Sequence, residues 1–168
     1  MKNNRLFLLI VLLGIITNAF GASEQEVHWK FETGGRIYAT PVLNDTVMYI
    51  GSLDGYFYAL DSRDGSEYWK YFAGKEIRST AGIYDTIICF AGGNMMYGLN
   101  ILGDSLWSFQ MYEGAVVNSN DQWDDFNSSP KLIDSIAYIG TEHGKVYGIN
   151  VKTGGEVFSY QTSGNYII

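Results

Sequence analysis

Apolar residues run along the chain in short blocks of four to six, each closed by Gly, Asn or Asp, and the blocks fall into groups of four. In the first group the blocks are 40–43, 47–52, 56–60 and 67–72, short enough to be strands and too short to be helices. Val47-Met48-Tyr49-Ile50 and, one group later, Ile87-Ile88-Cys89-Phe90 carry no polar alternation. A strand covered on both faces reads that way. The joins supply matching turn chemistry: acceptor side chains in Asn44-Asp45-Thr46, a hairpin glycine in Asp54-Gly55, and a second tight turn at Asp61 with Asp64-Gly65. With 13 Tyr and 20 Gly against 2 Pro, the chain is expected to be all-β.

The groups repeat. At an offset of 89, Pro41, Leu43, Asp45, Tyr49-Ile50-Gly51, Gly55, Tyr58 and Gly65 meet Pro130, Leu132, Asp134, Tyr138-Ile139-Gly140, Gly144, Tyr147 and Gly154. A weaker copy lies between them, through Thr80, Asp85-Thr86-Ile87, Tyr97, Leu99-Asn100, Gly103 and Trp107. Trp29, Trp69 and Trp107 close units 40 and 38 residues apart, and Phe158 follows at 51 after an insertion. A period near 40 with four short strands per unit predicts propeller blades, here about 38–72, 77–110 and 128–161, with 29–32 as an outer closing strand. Trp29, Trp69, Trp107 and Phe158 are expected to lie between adjacent blades. Three blades make an incomplete, open propeller. Its end faces call for further blades from a longer chain, for another protein, or for self-association.

These residues resemble the quinoprotein-type, or PQQ-like, β-propeller repeat, whose units look like GSxDGxxYALDxxTGxxxW. Gly51-Ser52-Leu53-Asp54-Gly55-Tyr56-Phe57-Tyr58-Ala59-Leu60-Asp61 follows that pattern closely, and the run on to Trp69 is similar to the family's tryptophan-docking motif, with Asp64 where Thr is usual. Thr153-Gly154 restores the Thr-Gly pair but ends on Phe158. The family includes PQQ-dependent alcohol and glucose dehydrogenases and also non-catalytic propellers, among them an outer-membrane assembly lipoprotein. The resemblance implies the fold and leaves the site open.

The first residues differ in kind. Lys2 and Arg5 precede an apolar run to Ile16, and Ala19 and Gly21 stand at signal-peptidase spacing, so 1–21 reads as a cleavable secretory signal and 22–168 as the partial propeller. The run is too short for a stable membrane span. Of 11 Lys+Arg against 18 Asp+Glu, two cations leave with the signal, and the mature chain stands near −9. Such a surface repels nucleic acid. The single Cys, Cys89, sits in an apolar block and reads as a small buried hydrophobe.

In this family ligands collect on the face carrying the B–C hairpins and the D-to-A connections. Tyr38 and Arg78 precede A strands there, and Arg78 could pair with an anion or with a neighbouring carboxylate. The insertion before the third unit places Asp121, Trp123, Asp124, Asp125 and Asn127 on the same face. Hard oxygen donors of that kind suit Ca²⁺ and Trp123 suits stacking, but the run lacks the central Gly and final Glu of a calcium loop and reads as a solvated acidic segment. His28 and His143 have no partner ligand at metal spacing, and no catalytic set or metal motif is assigned. The expected function is an exported, non-catalytic scaffold at the cell envelope that binds protein or a ligand, with no cofactor. The alternative is a piece of a PQQ-dependent alcohol or sugar dehydrogenase, with PQQ and Ca²⁺.

Overall fold

The computed structural model describes residues 27–112 and 127–163. Among them lie twelve strands in three antiparallel four-stranded meanders. Blade 1 holds β1 (Val42–Asn44), β2 (Val47–Gly51), β3 (Tyr56–Asp61) and β4 (Glu67–Phe72). Blade 2 holds β5 (Gly82–Tyr84), β6 (Ile87–Gly92), β7 (Met95–Asn100) and β8 (Ser105–Gln110). Blade 3 holds β9 (Lys131–Ile133), β10 (Ile136–Gly140), β11 (Lys145–Asn150) and β12 (Glu156–Gln161). The fold is the all-β propeller arc that the repeat implies.

The first strand begins two residues later than the hydrophobic pattern suggests. Pro41 has no N–H to give a ladder, and the N–H of Thr40 is spent on the next blade, donating to Thr80 Oγ1 at 3.0 Å. The segment 27–36 belongs to none of the three sheets. It lies against blade 1 instead, where Phe31 meets Tyr58 edge-on at 5.3 Å and covers Ile50 and Leu60.

Strand β6 shows why the second block of each unit is apolar throughout. Ile88 and Phe90 point into the cluster shared with blade 1, while Cys89 and Ala91 point into the cluster shared with blade 3, and all four are buried. Period-two alternation is present, but both sides are core. At the centre of the first junction the rings of Phe57 and Phe90 stack at 4.1 Å and 3°. The outermost strands of blades 1 and 2, by contrast, alternate between exposed and half-buried positions, and β12 of blade 3 is exposed except at Ser159.

The three C–D pairings share one irregularity. Register slips between Ala59 and Leu60, between Gly98 and Leu99, and between Gly148 and Ile149. In each case the residue just before the slip faces the unit-end aromatic: Trp69, Trp107 or Phe158. A bulge twists the strand locally and re-aims the side chain beside it. Trp69 and Trp107 are thereby turned onto the following blade. The indole N–H of Trp69 donates to Ile101 O at 3.1 Å and that of Trp107 to Val151 O at 2.7 Å, and Trp29 makes the same bond to Ser62 O at 3.0 Å. Each ring lies over a left-handed turn glycine. A Cβ on Gly154 (φ 70°) would sit 2.6 Å from Trp107 Cγ, so the indole can lie there only against glycine.

Candidate functional site

The B–C hairpins and the D-to-A connections meet on one end of the arc. Their backbone is fixed by recurring bonds: Ala73 N–H donates to Gly55 O at 2.9 Å, Met111 N–H to Asn94 O at 3.0 Å and Thr162 N–H to Gly144 O at 2.8 Å. Toward the axis a second series runs between blades, from Thr40 N–H to Thr80 Oγ1, and from Thr80 N–H to Ser129 Oγ at 2.9 Å. Just behind it, Ser79 Oγ both donates to Ala91 O and accepts from Ala91 N–H, at 2.9 and 2.8 Å. Ser128 Oγ accepts from Gly140 N–H at 2.8 Å in the same place on blade 3. These hydroxyls tie each connection to the strand beneath it, a role that the sequence reading did not assign. The signal was there, in Ser79-Thr80 and Ser128-Ser129 standing at equivalent positions.

Of the residues singled out on this face, Arg78 lies over the ring of Tyr38 with its guanidinium carbon 5.5 Å from the centroid, and it pairs with Glu76 two residues away. Tyr38 is 56% exposed. The pair therefore presents an aromatic platform backed by a neutralised cation. Asn127 donates from Nδ2 to Gly93 O, pairs across to Thr141 as an isolated bridge, and has a buried Oδ1 without a protein donor. Asp121, Trp123, Asp124 and Asp125 lie outside the described residues, as does the expected signal 1–21.

His143, read from sequence as a turn residue, is brought onto Tyr112 at 4.4 Å between ring centroids and lies 3.8 Å from the Glu142 carboxylate. Its counterpart in blade 1, Asp54, does something different. Asp54 Oδ2 accepts from Gly34 N–H at 2.8 Å and Tyr58 O–H at 2.7 Å, and Oδ1 accepts from Tyr56 N–H at 2.9 Å. Partial burial works against the charge, but the hydrogen bonds together outweigh it and hold the carboxyl below its usual range. Tyr58 is pushed the other way, by burial and by that carboxylate.

Beside His143 the second junction opens into a cleft of about 430 Å³ whose walls include Phe109, Met111, Tyr112, Lys145 and Tyr147. The first junction is filled at the corresponding place. There Tyr97 O–H donates to Ala73 O at 2.8 Å and the Lys75 stem lies against Gly93. The cleft offers an apolar floor with a cation at its edge, and Lys145 Nζ stands 4.6 Å from the Tyr147 ring centre. Cys89 takes no part in the face. It is fully buried, and that burial pushes its thiol up to about 12, a poor nucleophile. Among the described residues no three His, Cys, Asp or Glu side chains come together as a metal site.

Three stacked four-stranded meanders joined by indoles over turn glycines define a PQQ-type propeller arc. The family model described as outer membrane protein assembly factor BamB matches residues 14–166, and the chain belongs to that family. The BamB of Yersinia pestis is 20% identical over 146 residues, covering 83% of this chain and 37% of its own length. The crystal structure of BamB from Moraxella catarrhalis superposes with a TM-score of 0.64 at 21% identity, over 80% of this chain and 39% of that one. Quinohemoprotein alcohol dehydrogenase from Comamonas testosteroni superposes equally well, with a TM-score of 0.65 at 17% identity over 79% of this chain and 22% of that one. At such identities the likeness to solved structures is one of fold. The chain spans under two fifths of the length of the assembly-factor relatives.

Proposed function

We propose that this chain is an exported, non-catalytic scaffold of the cell envelope that docks polypeptide on the face carrying Tyr38, Arg78 and the His143–Tyr112 pair. The observation that carries this reading is the family match over 14–166, to a family described by an assembly factor. The geometry supports it: Tyr38 stands at the surface while the Arg78 guanidinium beside it is already paired with Glu76, and the cleft beside His143 has an apolar, aromatic floor, a combination that favours protein contact over small-ion capture. Tyr38 over Arg78 and the cleft beside His143 are the two aromatic anchor points.

The alternative, a piece of a PQQ-dependent alcohol or sugar dehydrogenase, calls for cations to meet the quinone's carboxylates and converging oxygen donors for Ca²⁺. The described residues of this face do not fit that group, since Arg78 is turned to Glu76 and Asn127 to Gly93 O. A photo-crosslinking side chain placed at Tyr38 or His143 is expected to give discrete adducts with envelope proteins in the exported fraction, whereas one at Leu43 is expected to give none. Retention of the chain in the cytoplasm would overturn the reading. So would saturable binding of PQQ with Ca²⁺ accompanied by alcohol-dependent dye reduction.

A further inference from the structure

The outer strand of each blade has one edge outside its sheet, and the three edges are not alike. β4 carries Glu67 and Lys70 and β12 carries Glu156, whereas β8, Ser105-Leu106-Trp107-Ser108-Phe109-Gln110, carries neither charge nor proline. Such residues on an edge discourage a further strand from adding, and β8 lacks them. Met111 N–H donates to Asn94 O, so in the register of β7 with β8 the backbone groups of Phe109 and Trp107 turn inward and those of Ser108 and Gln110 turn out. Both of these residues are exposed, and their N–H and C=O groups have no partner among the described residues. Beside this edge runs the cleft of the second junction, with Phe109 on one wall and Lys145, Tyr147 and Gln161 on the other. Tyr58 and Tyr97 give their hydroxyls to Asp54 and to Ala73 O. Tyr147, in the same place on blade 3 and only 3% exposed, has no bonded partner for its hydroxyl among the described residues. Lys145 lies over the Tyr147 ring with no described carboxylate at ion-pair distance, and Glu142 on the same hairpin is set against His143 at 3.8 Å. Glu156, also in the cleft wall, likewise has no described cation.

We propose that the free edge of β8 is a strand-addition site: an extended segment of another polypeptide pairs with it as a fifth strand of blade 2 and lays alternate side chains into the neighbouring cleft, an acidic one toward Lys145 and a basic one toward Glu156.

Strand addition at β8 rests on the proposed docking of polypeptide and gives its mode and the chemistry of the segment. Added strands take affinity from main-chain bonds, which any sequence can make, and selectivity from pockets that receive every second side chain. Blade 2 supplies both. Trp107 and Phe109 face blade 3, so residues of an added strand directly opposite them point the same way, over the cleft. Lys145 pairs across to Gln161, and Glu156 lies five residues earlier on β12, a run of about 17 Å. The two unpaired charges therefore stand at opposite ends of a space that fits an extended segment. At its inner end the Lys145 ammonium and the Tyr147 hydroxyl are both donors, a pair suited to a carboxylate. Between the ends Phe109 and Tyr147 meet edge-on at 5.6 Å and offer an apolar floor to an aromatic side chain. Antiparallel addition, the more stable pairing, runs from Gln110 toward Trp107 and puts the acidic residue ahead of the basic one. The first junction offers no such combination, since Tyr97 is bonded to Ala73 O and the β4 edge carries Lys70.

The probe is a fluorescent, acetylated peptide, Thr-Glu-Thr-Tyr-Thr-Lys-Thr, titrated into the full chain and followed by anisotropy. Saturation is expected below about 1 mM, with exchange of the Ser108 and Gln110 amides slowed about tenfold or more in the complex. N-methylation of the third and fifth residues of the peptide, placed to face Gln110 and Ser108, is expected to weaken binding about tenfold, and exchanging its Glu and Lys about threefold to tenfold. Ser108→Pro removes an outward N–H and spares the bonds to β7, so it is expected to keep the circular dichroism of the parent and lose saturation. If that variant loses its fold, Lys145→Glu is expected to weaken binding about tenfold, while Lys152→Gln, on a turn, binds as the parent does. No saturation, saturation that leaves both amides unprotected, or equal binding of the charge-exchanged peptide would each overturn the proposal. So would a photo-crosslinker at Ser108 that joins residues 113–126 of the same chain in place of the peptide. The docking reading itself fails separately, on the absence of adducts from Tyr38 and His143.

Discussion

The residues that shape the turns do so by charge as much as by conformation. Asp61 is buried and accepts from Arg63 Nε at 2.9 Å and from Tyr68 O–H at 2.6 Å, and these bonds, the arginine's first, hold its carboxyl well below the usual carboxylate range. A carboxyl with a depressed folded pKa lends stability that is complete above its unfolded value near 4 and is lost as pH falls below it. Thermal melts between pH 6 and pH 2.5 should therefore show a steeper acid-side fall for the parent than for Asp61→Asn, which starts lower and changes less. Parallel curves would exclude Asp61 as the source. In the two later units Asn100 and Asn150 take this place, each accepting through Oδ1 from the N–H two residues on at 2.9 Å. They keep the turn and drop the titration, so acid sensitivity of this kind belongs to blade 1.

Between neighbouring blades the joining element is an outer strand that ends in an indole, set against a turn that ends in glycine. Replacing Trp107 by Phe keeps the ring and removes the N–H bond to Val151 O, an expected loss of about 1 kcal/mol in urea unfolding. Gly154→Ala puts a methyl into that same ring at a positive φ and is expected to cost more, about 1–3 kcal/mol. Equal effects would show that the ring's volume, and not its fit, is what matters. Trp69 is only half-buried, so its removal to Ala belongs near the lower end of the range for large aromatics, about 3 kcal/mol. Much of this was legible in the sequence. Glu67–Phe72 was found to the residue, because its turn glycine and terminal Trp bracket it. The bulges opposite Trp69, Trp107 and Phe158 were not legible, nor was the left-handed backbone of Asp45, Asp85 and Asp134, at φ 54°, 54° and 52°. Both depend on how two strands meet, which a single run of residues does not state. The meeting of Tyr112 with His143 lay beyond reach for the same reason, since 30 intervening residues separate the two in sequence.

At the scale of the whole molecule the arc is a row of slabs, and protection is unequal along it. Blade 2 has a core on each side, with Ile88, Cys89, Phe90, Met96 and Leu99 all fully buried. Among the described residues, blade 3 shares a core with blade 2, and on its other side Ile133 and Tyr160 are exposed. Stacked repeats draw their stability from shared faces, so local opening is cheapest where a face is unshared. Amide exchange at micromolar dilution is expected to be slowest in β6 and β7 and clearly faster in β10 and β11, and a uniform rate across the blades would contradict this. The alternating side chains of β6 thus act as a keystone: the middle slab cannot loosen without parting from both neighbours at once, and unravelling is confined to the margins.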